Sequence, residues 1–124
     1  MARILVIEDH DDTLELIRTV LAHAGYDVSV AVDGEDGLRR YREDRPDVVV
    51  VDLFMPRVDG LALITSLRGD VGPTAKIIAI SAGWNVRGTD ALKEAQARGA
   101  DRILRKPLDF DALTATVKDL LARG

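Results

Sequence analysis

Residues 48–52 read Val-Val-Val-Val-Asp, four β-branched apolar residues followed by a carboxylate. A run of this length that is apolar at every position predicts a β-strand buried on both faces. The runs Ile4–Ile7 and Ile77–Ile80 have the same character. Since strands buried on both faces belong to parallel sheets that carry helices on each side, the three runs indicate an α/β fold.

Amphipathic stretches alternate with the strands along the whole chain. Apolar residues at helical spacing predict five helices, the first around Leu14–Leu21. The second and fifth strands differ from the other three, because Val28 and Val30 alternate with polar residues and Arg102–Arg105 has an arginine at each end. Such strands suit the edges of a sheet. We therefore predict a flavodoxin-like (βα)5 three-layer sandwich with the parallel strand order 2-1-3-4-5.

Glycines and capping residues mark the ends of the predicted helices. A residue just past a helix end often needs a positive φ, and three glycines follow helical stretches: Gly25, Gly69 and Gly99. Three residues with side-chain oxygens that can accept from free backbone N–H groups precede helices and are predicted N-caps: Asp33, Thr89 and Asp109.

The composition is that of a globular domain, which we expect to span residues 1–124 as a single unit. The net charge of −4 argues against broad attraction to nucleic acid or to anionic membranes. The absence of cysteine excludes disulfides and thiol catalysis and fits a reducing compartment. No stretch approaches the roughly 20 apolar residues of a membrane span. We therefore expect a cytoplasmic protein that binds neither nucleic acid nor membrane.

Polar residues that could take part in catalysis or ligand binding follow four of the predicted strands. They are Glu8-Asp9 after the first strand, Asp52 after the third, Ser81 after the fourth and Lys106 after the fifth. In open α/β sheets, ligands bind beyond the carboxyl ends of the strands, so these side chains should converge at one rim. Each residue alone is more often an ordinary loop residue or helix cap, and it is their convergence that indicates a site.

Three carboxylates at one rim repel one another unless a cation compensates them. Mg2+ takes one or two carboxylates, keeps several waters and binds phosphate oxygens, so it is the expected cofactor. Phosphoryl transfer needs a nucleophile and positive charge on the transferring oxygens. Asp52 can attack, Mg2+ and Lys106 can neutralise charge, and the Ser81 hydroxyl can donate a hydrogen bond.

Over essentially its whole length the chain resembles the response-regulator receiver domains of two-component signalling. The stretches that carry the resemblance are Ile4-Leu5-Val6-Ile7-Glu8-Asp9, Val51-Asp52-Leu53-Phe54-Met55-Pro56, Asp59-Gly60, Ile80-Ser81-Ala82 and Gly99-Ala100-Asp101 with Lys106-Pro107. Each motif is weak by itself, but together and in this order they are highly specific. The resemblance is to single-domain receivers of the chemotaxis-regulator type.

The resemblance implies that Asp52 is the phosphoacceptor and that a sensor histidine kinase or a histidine phosphotransfer protein supplies the phosphoryl group. It further implies that Mg2+ binds Asp9, Asp52 and the main-chain carbonyl of Phe54, with Glu8 holding a metal-bound water. Ser81 and Lys106 would bind the phosphoryl group, and the Lys106-Pro107 peptide bond would be cis.

The sequence departs from the family pattern at Ile103, where similar receivers commonly carry Tyr or Phe. Isoleucine has no ring to rotate and is stiff at χ1, so an aromatic switch is not expected. We expect activation to reposition the loop Ser81–Gly88 and the fourth helix instead. That helix offers mainly alanines and Leu92 to the core, which predicts that it is weakly held.

Several functions remain open at this stage. The first is a receiver, monomeric or weakly dimeric, that catalyses only its own phosphorylation and dephosphorylation and signals through an unknown output protein or a phosphoryl relay. The alternative is that the chain is a receiver fragment of a hybrid kinase or larger regulator. An Mg2+-dependent aspartyl-phosphate phosphohydrolase is disfavoured, because Phe54 occupies the position of a second carboxylate. A flavin-binding module is excluded by the acidic loop after the first strand.

Overall fold

The computed structural model describes residues 1–55, 58–71, 75–81 and 91–123. The predicted cap Thr89 and most of the loop Ser81–Gly88 lie outside the described residues, as does the side chain of Leu92. The helices and strands in chain order are β1 (Arg3–Ile7), α1 (Asp11–His23), β2 (Asp27–Ala31), α2 (Gly34–Asp44), β3 (Val48–Asp52), β4 (Phe54–Met55), β5 (Val58–Asp59), α3 (Gly60–Val71), β6 (Lys76–Ser81), α4 (Ala91–Arg98), β7 (Arg102–Arg105) and α5 (Phe110–Ala122).

Five of these strands form one parallel sheet in the order β2-β1-β3-β6-β7. Numbered as the five major strands, this is the predicted order 2-1-3-4-5, and the flavodoxin-like fold is confirmed. The edge assignment of β2 and β7 is therefore right, while β3 at the centre is buried at every position.

A second, two-stranded sheet was not predicted. It pairs β4 with β5 in antiparallel register, Phe54 opposite Asp59 and Met55 opposite Val58. Strands of two residues are too short to show an alternating pattern, so the sequence has no periodic signal for them. The hairpin stands directly between β3 and α3, next to the carboxyl end of the central strand.

Alternate residues of the central strands enter two separate cores. One face of β1 and β3 packs with residues of α2, α3 and α4, including Tyr41, Leu67 and Ala95. The other face packs with α1 and α5, including Ile17 and Val117. The sheet therefore lies between two helical layers, which explains why the strands are apolar at successive positions. Among the described helices, none has both the length and the apolar character needed to cross a bilayer.

The helix ends confirm most of the predicted N-caps and helix-ending glycines. Asp33 accepts from the backbone N–H of Asp36 at 2.8 Å, and Asp109 caps α5 in the same way. Gly25 and Gly99 have φ values of +98° and +125°.

The prediction for Gly69 is wrong, because α3 continues through this residue to Val71. A glycine inside a helix costs about 1 kcal/mol relative to alanine. The buried side chains of Leu63, Ile64 and Leu67 hold α3 in place against this cost, so the glycine does not end the helix.

Candidate functional site

The acidic residues after β1 and β3 lie side by side. Ile7 is in register with Val51, so the chain continues from neighbouring strands into Glu8 and Asp52. One carboxylate oxygen from each of Glu8, Asp9 and Asp52 can be chosen so that all lie within 4.8 Å of one another. The structure therefore brings together the three carboxylates that the sequence places at this rim.

Burial makes this carboxylate cluster electrostatically costly. Glu8 is 2% exposed and Asp52 is 3% exposed, so neither carries its full hydration. Desolvation by burial is the largest cause that raises the pKa of Glu8, and together with the hydrogen bond to Asp52 and the negative charge of Asp52 it brings this pKa to about 8. The positive charge of Lys106 and the backbone N–H of His10 act against this rise. The cluster therefore favours cations, whether protons or metal ions.

Lys106 reaches this cluster from the end of β7. Its Nζ donates to Asp52 Oδ2 at 3.0 Å, across 54 residues of sequence. Its backbone N–H donates to the carbonyl of Ser81 at 2.9 Å, which joins the chain after β7 to the end of β6. The Lys106-Pro107 peptide bond is cis, as expected from the resemblance.

Ser81 and Phe54 complete the set of predicted site residues. Ser81 is the last residue of β6 and is fully buried. Its neighbour Ile80 is in register with Asp52, so Ser81 lies one strand away from the carboxylate cluster. Phe54 begins β4, two residues after Asp52, and only its main chain is described.

His10 has a role that the sequence did not suggest. It is the N-cap of α1, and its Nδ1 accepts from the backbone N–H of Thr13 at 3.4 Å. Its own backbone N–H donates to Glu8 Oε1 at 3.2 Å, so it ties the acidic loop to the start of the helix. Histidine is not among the preferred capping residues, so composition offers no signal for this contact.

Ile103 is half-buried and packs against the core cluster on the side of α3 and α4. The aliphatic side chain thus occupies the position at which the resemblance leads one to expect an aromatic ring. The expected repositioning of the loop Ser81–Gly88 concerns residues that lie mostly outside the described ranges, so it remains a prediction.

The donor chemistry of the cluster suits a hard divalent cation. Carboxylate oxygens are the ligands that Mg2+ prefers, and Glu8, Asp9 and Asp52 present them within the spacing of one coordination sphere. A cation placed there would offset the repulsion that raises the pKa of Glu8. The residues present therefore fit Mg2+.

Comparison with known protein families and comparison with curated proteins agree with each other. Residues 4–118 match the family described as Response regulator receiver domain. The chain is 39% identical to Transcriptional regulatory protein PrrA of Mycobacterium leprae over 121 residues, which is 98% of this chain and 50% of that protein. It is 40% identical to Response regulator MprA of Mycolicibacterium vanbaalenii over 124 residues, or 98% of this chain and 51% of that protein. The chain spans about half the length of these curated relatives.

Solved structures agree with the sequence relatives. The receiver domain of the Francisella response regulator 1452 superimposes with a TM-score of 0.88 at 31% identity, covering 99% of this chain and 98% of that one. The chemotaxis protein CheY4 of Vibrio cholerae superimposes with a TM-score of 0.86 at 26% identity, covering 97% and 98%. The likeness thus extends over nearly the whole of each chain.

Proposed function

The chain belongs to the family of response regulator receiver domains, and from this premise we propose that Asp52 is the residue on which it accepts a phosphoryl group. Receiver domains of two-component systems are phosphoacceptors and signalling modules rather than enzymes that turn over an external substrate. The observation that carries the proposal is the contact of Lys106 Nζ with Asp52 Oδ2 at 3.0 Å inside a cluster of three carboxylates.

Asp52 is suited to act as the nucleophile. One of its carboxylate oxygens forms a bond to phosphorus, while the bond from phosphorus to the donor's imidazole nitrogen breaks and its electron pair stays on that nitrogen. Lys106 holds its ammonium group beside Asp52 and stabilises the negative charge on the phosphoryl oxygens. Ser81 ends the neighbouring strand, from which its hydroxyl can donate to one of these oxygens.

We assign the metal ligands to the same rim. Asp9 and Asp52 would bind Mg2+ through carboxylate oxygens, Phe54 through its main-chain carbonyl, and Glu8 through a water. Bound Mg2+ supplies positive charge to the oxygens of the transferring group. The support for this set is the mutual spacing of the three carboxylates and the order in which the residues follow β1 and β3.

Phosphorylation by a small donor tests the assignment of Asp52. Wild-type protein incubated with acetyl phosphate and Mg2+ should gain one phosphoryl group per chain by intact mass, and Asp52→Asn should gain none. The matched control is Asp27→Asn, which removes an exposed aspartate that forms a 4.0 Å ion pair with Arg3. This control should be phosphorylated like wild type. Phosphorylation of Asp52→Asn at the wild-type rate would show that another residue accepts the group.

The donor and the output follow from the family. We propose that a histidine kinase or a histidine phosphotransfer protein phosphorylates the chain, that the reaction occurs in the cytoplasm, and that output passes through protein contacts. The protein then catalyses only its own phosphorylation and dephosphorylation. Monomeric or weakly dimeric behaviour, and the lack of affinity for nucleic acid and membranes, remain predictions.

A larger regulator is the second candidate, because the chain spans about half the length of relatives such as PrrA, which is named a transcriptional regulatory protein. Under this alternative the receiver would control a partner segment in the same polypeptide. The intact mass of the protein isolated from its native cells distinguishes the two: a mass near 13.5 kDa supports the single-domain receiver. A mass about twice as large supports the larger regulator.

A further inference from the structure

The edge strand β7 determines where Lys106 stands. Lys106 follows the last residue of β7 directly, and β7 is at the edge of the sheet, where it pairs with β6. In this register Ile78 lies opposite Arg102 and Ser81 opposite Arg105. Any shift of β7 along β6 therefore moves Lys106 relative to Asp52 by the same distance.

The side chains of β7 specify its register weakly. All four of its residues are half-buried or exposed, whereas β3 is buried throughout. Ile103 packs on one face of the sheet and Leu104 on the other, so each core receives one partly buried apolar side chain from this strand. Register is strongly specified where a strand buries a long apolar face, and β7 has no such face.

A polar clamp holds the start of β7 on the start of β6. Arg68, from the last third of α3, donates through Nε and Nη2 to the carbonyl of Gly99 at 2.9 and 2.7 Å, and through Nη1 to the carbonyl of Ala75 at 2.6 Å. Its Nη2 also contacts Asp101 Oδ2 at 2.5 Å. The planar guanidinium thus joins α3, the residue before β6 and the connection between α4 and β7.

Asp101 links Arg68 to the pairing of β6 with β7. Its Oδ2 accepts from the backbone N–H of Ile77 at 2.8 Å, and its own N–H donates to the carbonyl of Ile77 at 2.8 Å. Gly99 permits the close approach, since a Cβ there would lie 2.8 Å from Cγ of Arg68. The side chains of Arg68 and Asp101 are 20% and 29% exposed, so the pair is better shielded from water than a surface ion pair.

We propose that the clamp of Arg68 and Asp101 fixes the register of β7 on β6 and is thereby a positioning device for Lys106. The proposal rests on the proposed function only in that Lys106 acts on the phosphoryl group. Asp101 and Lys106 are separated by five residues of extended chain, or roughly 17 Å, so the clamp acts through the strand rather than by contact. A slip of two residues would displace Lys106 by roughly 6.6 Å, which the 3.0 Å contact with Asp52 cannot tolerate.

The test compares Arg68→Met with Arg68→Lys and with a control on the other side of β7. Methionine removes every hydrogen-bond donor of Arg68. Lysine keeps the charge but not the two-pronged geometry, so Arg68→Lys should retain part of the wild-type exchange protection and phosphorylation rate. The control is Asp119→Asn, which weakens the ion pair of Arg102 with α5 from the α5 side and leaves the hydrogen bond from Arg102 to the carbonyl of Asp101 in place. Three quantities are measured: amide hydrogen exchange, the phosphorylation rate with acetyl phosphate, and the affinity for Mg2+.

In Arg68→Met the amide of Lys106, which bonds to Ser81, should exchange about tenfold faster in the unphosphorylated protein. Phosphorylation should slow by about tenfold, because the ammonium group is no longer held beside Asp52. Mg2+ affinity should not fall and should rise modestly, because Asp9 follows β1 and Asp52 ends β3, away from the clamp, while the displaced ammonium group removes a positive charge beside Asp52. Asp119→Asn should match wild type in all three quantities.

Wild-type exchange at Lys106 together with a wild-type phosphorylation rate in Arg68→Met would overturn the proposal. So would an equal acceleration of exchange in β1 and β3, since it would show general destabilisation and not loss of register. If Arg68→Met fails to fold, Arg68→Lys decides by the same criteria at smaller amplitude. Faster exchange at Lys106, with Asp52→Asn still phosphorylated, would support the clamp and reject the assignment of Asp52.

Discussion

Replacing Glu8 with glutamine should remove a pH dependence of stability that the carboxylate cluster imposes. Burial and the neighbouring Asp52 raise the pKa of Glu8 from 4.5 to about 8. The folded protein thus holds this proton more tightly than the unfolded chain does. The associated stability is fully present below about pH 4.5 and is lost as the pH rises towards about 8.

The size of the effect follows from the same shift. Each pH unit between the two pKa values contributes about 1.4 kcal/mol, so the range from about pH 5.5 to about pH 8.5 has a ceiling of roughly 3 kcal/mol. Water that enters the loop around Glu8 and movement of the Glu8 side chain reduce this ceiling. We therefore expect wild-type protein without divalent cations to lose between about 1 and 3 kcal/mol of unfolding free energy over this range.

Urea unfolding at the two pH values, with a chelator present, measures this loss. The change in unfolding free energy should be smaller in Glu8→Gln, because glutamine does not titrate. The control Glu15→Gln removes an exposed glutamate of α1 whose pKa is lowered by Arg18, and it should behave like wild type in this range. Added Mg2+ should stabilise wild type most at the higher pH, where it does not compete with the proton. An equal loss of unfolding free energy in wild type and Glu8→Gln between the two pH values would refute the interpretation that burial beside Asp52 raises the pKa of Glu8.

Three further outcomes are expected. Lys106→Ala should slow phosphorylation by acetyl phosphate by about 100-fold and, by removing a positive charge beside Asp52, tighten Mg2+ binding in a calorimetric titration. Gly60→Ala should destabilise the fold by about 1–3 kcal/mol in thermal unfolding, because its Cβ would lie 2.6 Å from Cα of Leu53, a backbone atom that cannot give way. Asp109→Ala should cost about 1 kcal/mol by the same measurement, since the carboxylate accepts from two backbone N–H groups at the start of α5.

Much of the candidate site was predictable because its residues are tied to strand ends. An apolar run of four residues is visible in the sequence at Ile4–Ile7 and at Val48–Val51, and the residue after each run is therefore known to face the same rim. The convergence of Glu8 and Asp52 at one rim follows from neighbouring strands in register. What could not be predicted is the raised pKa of Glu8, because it depends on burial and on distances of a few ångströms.

The contacts that sequence reasoning missed join residues whose types have many possible partners. Arg68 was one of many arginines and Asp101 part of a motif, and nothing in either position indicated that they meet between α3 and β7. His10 as a cap and the β4–β5 hairpin were missed for related reasons, since a single atypical cap and two-residue strands carry no repeating pattern. The prediction that a helix ends before Gly69 is wrong for a different reason. Packing of the buried face of α3 outweighs the local preference of one glycine, so the helix continues.

The sequence by itself determined the alternation of strands and helices, the order of the sheet and the rim at which the polar residues gather. These properties depend on the polarity of side chains at periods of two and 3.6 residues, which is local information. Only the tertiary structure decided that Lys106 contacts Asp52, that Glu8 is buried beside it, and that an arginine on α3 anchors the edge strand. Each of these depends on register and packing between distant segments, where a shift of one residue changes every contact.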